Sequence, residues 1–220
     1  MSTQKTLNLK QKKLFIFDLD GTLIDSSLDI CNSLAAACNK LGITPPSIDE
    51  LKQYLHQGSR QILLDLLKDR ALAKKVYPHF THFYQKQLLV HTKLYDQVES
   101  ILTTVSQYAK IALMSNKREA PCHTILEGLN IKHLFSMIVG GDTYPVKKPH
   151  PLPLQKICQH LAIDSKDSVM IGDSPVDIIA AQKANMDNIA VLSGFTAKKP
   201  LLDSMPSIYL NHVSDMINYI

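Results

Sequence analysis

The sequence predicts an α/β fold, in which a doubly wound, Rossmann-like parallel sheet forms the core and a small helical cap domain is inserted into it. From about residue 96 onward, short apolar runs alternate with amphipathic stretches, as is typical of parallel strands covered by helices. Residues 26–93 instead show helical periodicity with no clear strand. We therefore assign residues 1–25 and 94–220 to the core domain and residues 26–93 to the cap domain.

The first strand is expected at Leu14–Phe17, whose aromatic and branched residues are typical of a strand buried on both faces. Two aspartates, Asp18 and Asp20, follow it directly and are themselves followed by Gly21 and Thr22. An acidic, solvated turn would explain an isolated Asp-x-Asp. In open α/β sheets, however, ligands bind just beyond the carboxyl ends of the strands, so the position after a buried strand favours a functional site.

Two carboxylates this close repel each other unless a positive charge lies between them. Mg²⁺, a hard cation that prefers oxygen ligands, is the natural candidate. Aspartate can attack phosphorus to give an aspartyl-phosphate, and free N–H groups in a glycine-containing turn can hold phosphate oxygens. The segment therefore predicts magnesium-assisted phosphate chemistry.

The predicted cap domain begins with a helix after Ser26 or Ser27, and Gly42 ends that helix. Ser47 can begin the next helix, and further helical segments are expected at about residues 60–67 and 71–89. The break at Gln57, Gly58, Ser59 and Arg60 is a candidate substrate loop, because glycine gives flexibility and arginine can pair with a carboxylate. A helix start with a solvated arginine explains the same residues at least as well.

The rest of the chain supplies the other elements of the predicted sheet. Strands are expected at residues 110–114, 135–139, 168–171, 188–192 and 207–210, and helices at residues 97–108, 120–128, 151–161, 176–184 and near the C-terminus.

Polar residues follow or lie between these strands at three further places. Ser115 and Asn116 end a strand and could donate hydrogen bonds to a phosphoryl oxygen, although both also suit the start of a helix. Lys148 lies in a proline-rich run, which fixes the backbone around its charge; Lys147 is a less favoured neighbour. His150 is expected to be structural or to lie at the rim of the site.

The strand at residues 168–171 leads to the last acidic pair, Asp173 and Asp177. The first is expected at the same sheet edge as Asp18, and the second, four residues on, faces the same turn. A helix-capping role explains Asp173 locally but does not explain a second acid at this spacing as well.

Together these segments resemble the four motifs of the haloacid dehalogenase-like hydrolases, in the order of that family. The matching sequences are Asp-Leu-Asp-Gly-Thr-Leu from residue 18, Ser-Asn at 115–116, Lys-Pro-His-Pro from 148 and Gly-Asp-Ser-x-x-Asp from 172. A chance match to one motif is easy, but a match to four is not.

The resemblance implies a role for each motif. Asp18 is then the nucleophile and Asp20 the general acid and base, and Lys148 neutralises charge. Mg²⁺ is held by the Asp18 and Asp173 carboxylates and the Asp20 backbone carbonyl, with Asp177 supporting the site, often through a water. The phosphate is bound by Lys148 and by the first two motifs: Gly21, Thr22, Ser115 and Asn116.

Within that family, the cap size and the Lys-Pro-His-Pro run resemble the phosphoglycolate phosphatases with a C1-type cap. Hydrolysis of 2-phosphoglycolate is the implied reaction. Relatives with the same cap act on pyrophosphate, nucleotides or sugar phosphates, and β-phosphoglucomutase returns the phosphoryl group to a sugar, so these alternatives stay open. A non-catalytic binding protein on this fold ranks low because all four motifs are present, and a dehalogenase is disfavoured because it would need neither Asp20 nor Asp173.

The composition sets the remaining expectations. Net charge is +4 with no long basic block, which argues against nucleic-acid binding. No apolar stretch suits a signal peptide or a membrane span, and none of the four cysteines forms a Cys-x-x-Cys pair. We expect a cytoplasmic enzyme with a small phosphorylated metabolite as its partner, no membrane partner, and either a monomeric or a homodimeric state.

Overall fold

In the computed structural model of the protein, the described residues are 7–52, 54, 55 and 58–220. Gln57, the first residue of the predicted substrate loop, lies outside them. The chain forms two compact units: the chain up to Ile24 together with Leu94–Ile220, and Asp25–Lys93. The second unit therefore begins one residue before the inserted segment expected from the sequence.

A six-stranded parallel sheet forms the centre of the first unit, in the order β5-β4-β1-β6-β7-β8. This confirms the predicted doubly wound α/β core. The strands β2 and β3 pair separately as a two-stranded sheet. Within the described residues, the strands are β1 Leu14–Phe17, β2 Ile24–Asp25, β3 Lys93–Leu94, β4 Lys110–Met114, β5 Met137–Val139, β6 Ser168–Gly172, β7 Asp187–Val191 and β8 Ile208–Leu210.

The described helices divide between the two units. The second unit contains α1 Ser27–Lys40, α2 Ile48–Lys52, α3 Ser59–Leu67 and α4 Arg70–Lys86. The first unit contains α5 Val98–Ser106, α6 Glu119–Gly128, α7 Leu152–Leu161, α8 Pro175–Lys183 and α9 Lys198–Asp203. None of the helices in the described part of the chain is long and apolar enough to cross a membrane.

The strand β1 lies in the interior of the sheet, and all four of its side chains are fully buried. Successive side chains of a strand point to opposite faces. Leu14 and Ile16 accordingly join a cluster with residues of α7 and α8, whereas the ring of Phe15 stacks on Phe17 and meets Tyr108 edge-on. The expectation of a strand buried on both faces is confirmed.

The register of β1 brings three strand ends to one level. Phe17 pairs with Leu113 of β4 on one side and with Ile171 of β6 on the other. Because all three strands are parallel, the residues that follow them leave the sheet at the same edge. This register is what allows residues more than a hundred positions apart to form one site.

Three differences from the sequence expectation concern short elements. The strand expected at residues 135–139 begins only at Met137, because Lys132–Leu134 form a 3-10 turn before it. The strands β2 and β3 were not predicted, because two residues are too few to show an alternating pattern. Helix α9 was not predicted either, because its six residues, with Pro200 in the first turn, are too few to show helical periodicity.

The second unit is helical, and hydrogen bonds within it stabilise the start of a helix and the segment after the last helix. Ser47 and Glu50 form the reciprocal bonds of a helix start, since Ser47 N donates to Glu50 Oε2 and Glu50 N donates to Ser47 Oγ. The buried carboxylate of Asp29 on α1 accepts from His91 N, Thr92 N and Thr92 Oγ1. Asp29 therefore anchors the segment that returns the chain to the core.

Candidate active site

Asp18 follows β1 directly and continues its pairing, because its backbone N donates to Ile171 O at 2.9 Å. The side chain is nearly buried, and its Oδ1 lies 3.0 Å from Lys148 Nζ. The sequence therefore places a carboxylate at the sheet edge, and the fold gives it a cationic partner.

Lys148 is a buried lysine, with 2% of its surface exposed. Its Nζ lies 2.5 Å from Asp177 Oδ1 and donates to Met114 O at 2.7 Å, in addition to its contact with Asp18. Burial alone would lower the pKa of Lys148, but the carboxylates of Asp177 and Asp18 outweigh it and raise this pKa above its usual range. Lys148 is therefore charged and held between two carboxyl groups.

Asp173, at the end of β6, is buried and held by two donors. Thr22 Oγ1 donates to its Oδ1 at 3.2 Å, and Phe195 N donates to its Oδ2 at 2.7 Å. Burial, together with the nearby carboxylates of Asp18 and Asp177, raises the pKa of Asp173 well above its ordinary value. This carboxylate is thus costly to ionise in the metal-free protein.

Two glycines make room for the Asp173 carboxylate. A Cβ on Gly21 would lie 2.3 Å from Asp173 Oδ2, and Gly21 also has a φ of +79°. A Cβ on Gly194 would lie 2.2 Å from Asp173 Cβ. The close approach predicted for Gly21 therefore occurs, but the group that it admits is a carboxylate of the chain itself.

Asp177 lies in the first turn of α8 and has two contacts. Its Oδ2 accepts from Ser174 N at 3.0 Å, which caps the helix, and its Oδ1 faces Lys148 Nζ. Burial raises the pKa of Asp177, and the adjacent Lys148 opposes this shift. The sequence predicted that Asp177 supports the site, either from behind the metal ligands or through a water; in the structure it contacts Lys148 directly.

The carboxylates of Asp18, Asp173 and Asp177 form one buried group, each offering an oxygen within 4.8 Å of the others. When all are ionised, these three carboxylates and the Lys148 ammonium sum to a net charge of −2. Two of the oxygens, Asp18 Oδ1 and Asp177 Oδ1, are buried and both form ion pairs with Lys148 Nζ. A buried anionic set of this kind suits a divalent cation bound by oxygen ligands.

The loop after β4 brings its polar residues to the same edge. Ser115 is buried, its N donates to Val139 O, and its Oγ accepts from Lys117 N at 3.3 Å. Asn116 Nδ2 donates to the backbone O of Lys148 at 3.0 Å. Asn116 therefore positions the lysine loop, a contact that was not part of its predicted role as a phosphate donor.

Asp20 forms an ion pair with Lys117, whose Nζ lies 3.0 Å from Asp20 Oδ1. Sequence reasoning missed Lys117 as a site residue. The available signal was its position one residue beyond Ser115 and Asn116, in the loop that leaves a central strand.

The predicted use of the Gly21 and Thr22 amides as phosphate donors is not supported by this arrangement. Gly21 N donates to Ile24 O at 2.9 Å, and Thr22 N donates to Leu19 O at 3.3 Å. The turn closes on itself, so both N–H groups already have acceptors. Thr22 contributes through its hydroxyl instead, by orienting Asp173.

In the second unit, the predicted substrate loop leads into α3. Gly58 has a φ of +82°, Ser59 is the first helical residue, and the Arg60 guanidinium lies over the ring of Tyr77 at 4.7 Å. Stacking on an aromatic ring is a common stabilising arrangement for arginine. Arg60 thus has a partner within its own unit.

Phe195 and Gly194 were also missed by sequence reasoning. They follow β7, so the rule that ligands bind beyond the carboxyl ends of strands could have pointed to them. No motif marks them, however, because Phe195 acts through its backbone N–H, which every non-proline residue carries.

The fold and this arrangement of carboxylates and lysine define a hydrolase of the haloacid dehalogenase-like family. The family model described as "Haloacid dehalogenase-like hydrolase" matches residues 15–191, and the chain belongs to this family. The predicted class of enzyme, a phosphatase of this family, is confirmed at that level.

The most similar relatives include proteins named phosphoglycolate phosphatase. The one from Psychrobacter arcticus is 34% identical over 95% of this chain and 96% of its own length, and the one from Aquifex aeolicus is 33% identical over 93% and 95%. A crystal structure described as a predicted phosphoglycolate phosphatase from Haemophilus somnus superposes with a TM-score of 0.86 at 26% identity, covering 94% of this chain and 97% of that one.

Proposed function

We propose that this protein hydrolyses phosphate monoesters through an aspartyl-phosphate on Asp18, with Mg²⁺ as cofactor and 2-phosphoglycolate as substrate. The observation that carries the proposal is the buried group in which Asp18 lies within contact of Lys148 and beside Asp173. The names of relatives that are 33–34% identical over nearly the whole chain support the choice of substrate.

The proposed chemistry has two steps. An Asp18 carboxylate oxygen attacks phosphorus, the bond to the ester oxygen breaks, and Asp20 donates a proton to that leaving oxygen. Asp20 then takes a proton from water, whose oxygen attacks phosphorus and releases inorganic phosphate from Asp18. Positioning and electrostatic stabilisation supply most of the acceleration in phosphoryl transfer.

The charges of this chain suit that sequence of events. Lys148, fixed by Asp177 and Met114 O, neutralises part of the charge that builds up when a phosphoryl group approaches Asp18. Ser115 is the hydroxyl donor proposed for a phosphoryl oxygen. The Gly21 and Thr22 amides have no part in the proposal, since both already donate within their own turn.

The carboxylates of Asp18 and Asp173, with the Asp20 backbone carbonyl, would hold Mg²⁺. When bound, the ion offsets the negative charge of these ligands and of the phosphoryl group, so that two anions can meet. Asp177 is assigned to Lys148 and to the start of α8, because its two oxygens face those groups. Its role is to position the lysine.

The test is phosphate release from a panel of monoesters, with Mg²⁺ and with EDTA, by the wild type and by Asp18→Asn. We expect 2-phosphoglycolate to have the highest kcat/KM, and Asp18→Asn to abolish turnover while circular dichroism and melting remain native-like. Wild-type activity in Asp18→Asn would exclude Asp18 as the nucleophile. Preference for a pyrophosphate, nucleotide or sugar phosphate would exclude 2-phosphoglycolate as the substrate. Isomerisation of glucose 1-phosphate without phosphate release would favour a mutase.

A further inference from the structure

We propose that Lys117 selects substrates whose leaving group carries a carboxylate on the carbon next to the ester oxygen. This inference rests on the proposed function and assigns a specificity residue to the core domain. Its starting point is the ion pair in which Lys117 Nζ lies 3.0 Å from Asp20 Oδ1 with only 9% of the lysine side chain exposed.

The backbone of Lys117 is fixed on both sides. Lys117 N donates to Ser115 Oγ, and Lys117 O accepts from Gly141 N at 2.6 Å. Gly141 packs directly on the same loop, since a Cβ there would lie 2.3 Å from Asn116 O. The backbone that carries the Lys117 ammonium is therefore held in place next to Asp20, the residue proposed to protonate the leaving group.

The chemistry of the leaving group explains why the position of Lys117 bears on substrate specificity. Asp20 must reach the ester oxygen, and in 2-phosphoglycolate the carboxylate carbon is two bonds from that oxygen. A cation within hydrogen-bonding distance of Asp20 is consequently adjacent to the substrate carboxylate. Lys117 already pairs with a carboxylate, and exchanging that partner for the substrate carboxylate would form a charge-assisted hydrogen bond in a mostly buried place.

Two other cations that the sequence singled out have different partners. Lys148 is held by Asp18, Asp177 and a backbone carbonyl. The Arg60 guanidinium stacks on a tyrosine ring of its own unit. Lys117, in contrast, forms its described ion pair with Asp20, the proposed general acid.

The experiment compares 2-phosphoglycolate with 2-hydroxyethyl phosphate, a monoester of the same chain length with a neutral leaving group. For Lys117→Met, kcat/KM on 2-phosphoglycolate should fall roughly 30- to 4,000-fold more than on 2-hydroxyethyl phosphate, as for loss of one partner of a buried charge pair. Lys117→Arg should recover part of the preference. An equal loss on both substrates would mean that Lys117 acts only through Asp20, and it would overturn the proposal.

Lys12 provides the matched control, because it forms a 2.7 Å ion pair with Asp187 and has the same 9% side-chain exposure. Lys12→Met removes a comparable pair outside the site. It should leave the ratio of the two kcat/KM values at the wild-type value. A similar change of this ratio in Lys12→Met would assign the effect to general destabilisation and overturn the proposal.

Binding separates this inference from the proposed function. Titration of both esters into Asp18→Asn, with and without Lys117→Met, measures recognition without turnover. Tighter binding of 2-phosphoglycolate that is lost with Lys117→Met supports the inference even if the wild type hydrolyses neither ester, an outcome in which only the proposed function fails. If Lys117→Met leaves the binding of both esters unchanged, the inference is overturned, whichever ester the wild type hydrolyses.

Discussion

Replacing Asp173 by asparagine should stabilise the metal-free protein while abolishing its activity. Asparagine can keep both contacts, since its carbonyl can accept from Phe195 N and its amide can donate to Thr22 Oγ1, which reverses the direction of the present hydrogen bond from Thr22. It removes one of three buried carboxylates whose oxygens lie within 4.8 Å of one another. The substitution therefore deletes a charge with little change of shape.

The gain follows from Coulomb's law. Two unit charges 4.8 Å apart, the upper limit for these oxygens, repel by about 3.5 kcal/mol at an effective dielectric constant of about 20. Lys148 offsets part of this repulsion, so we expect a net stabilisation of about 2 kcal/mol. For a chain of this size that corresponds to a rise in Tm of roughly 4–8 °C.

The gain in stability of Asp173→Asn over the wild type should increase with pH. The folded-state pKa of Asp173 is raised above its ordinary 3.8, so its protonation favours the folded state at low pH. That stabilisation is lost as the pH rises toward the raised pKa. The difference between Asp173→Asn and the wild type should therefore be small near pH 4 and increase as the pH rises.

The assay is urea or thermal unfolding in EDTA at about pH 5 and pH 8, repeated with Mg²⁺. The ion should stabilise the wild type by about 2.7 kcal/mol at 100 times its Kd, whereas Asp173→Asn should gain much less. Asp187→Asn is the control: it loses its pairing with Lys12, should not gain stability in EDTA, and should keep the response to Mg²⁺. An Asp173→Asn protein that is less stable than the wild type at pH 8 in EDTA would refute the reasoning.

Two further predictions concern a glycine of the site and the anchor of the second unit. Gly21→Ala should greatly reduce phosphate release and Mg²⁺-dependent stabilisation, because its Cβ would displace Asp173 in addition to the strain of a positive φ. Asp29→Asn should lower the free energy of unfolding by about 2 kcal/mol, because the charge that accepts from His91 N and from the two Thr92 donors is lost, and the amide nitrogen that replaces one oxygen cannot accept a hydrogen bond; urea denaturation measures this loss.

Each of these variants has an internal comparison. Gly42 has a φ of +68°, and a Cβ added there would meet nothing within 4 Å, so Gly42→Ala should show the backbone strain alone, about 1 kcal/mol, with normal activity. Equal activity losses in Gly21→Ala and Gly42→Ala would contradict the proposed displacement of Asp173. For Asp29, Thr92→Val removes one of the donors, and a loss in Asp29→Asn smaller than that in Thr92→Val would contradict the anchoring role.

The sequence predicted the parts of the site that end strands. Asp18 and Asp173 were found because each follows a buried apolar run, and in a parallel sheet such residues leave at one edge. Lys148 was found through the prolines around it, which set a recognisable local pattern. The fold class followed in the same way, from alternation of strands and helices along the chain.

Other contacts could not be obtained from local pattern. The acceptors for the Gly21 and Thr22 amides depend on how one turn closes, and the donor to Asp173 is the backbone of Phe195, which carries no residue-specific signal. Asp177 was expected to support the site, but its direct contact with Lys148 depends on the packing of α8. Such pairings are set by three-dimensional packing.

The sequence by itself determined which chemical groups this protein has and that they lie at strand ends, because hydrophobic periodicity and motif spacing are local properties of the chain. Only the tertiary structure decided which groups touch. Thr22 and Asp173 are 151 residues apart, and Lys117 and Asp20 belong to different loops, so their contacts depend on the register of β1 with its neighbours β4 and β6. Parallel pairing at a common level is the physical reason that these distant residues form one site.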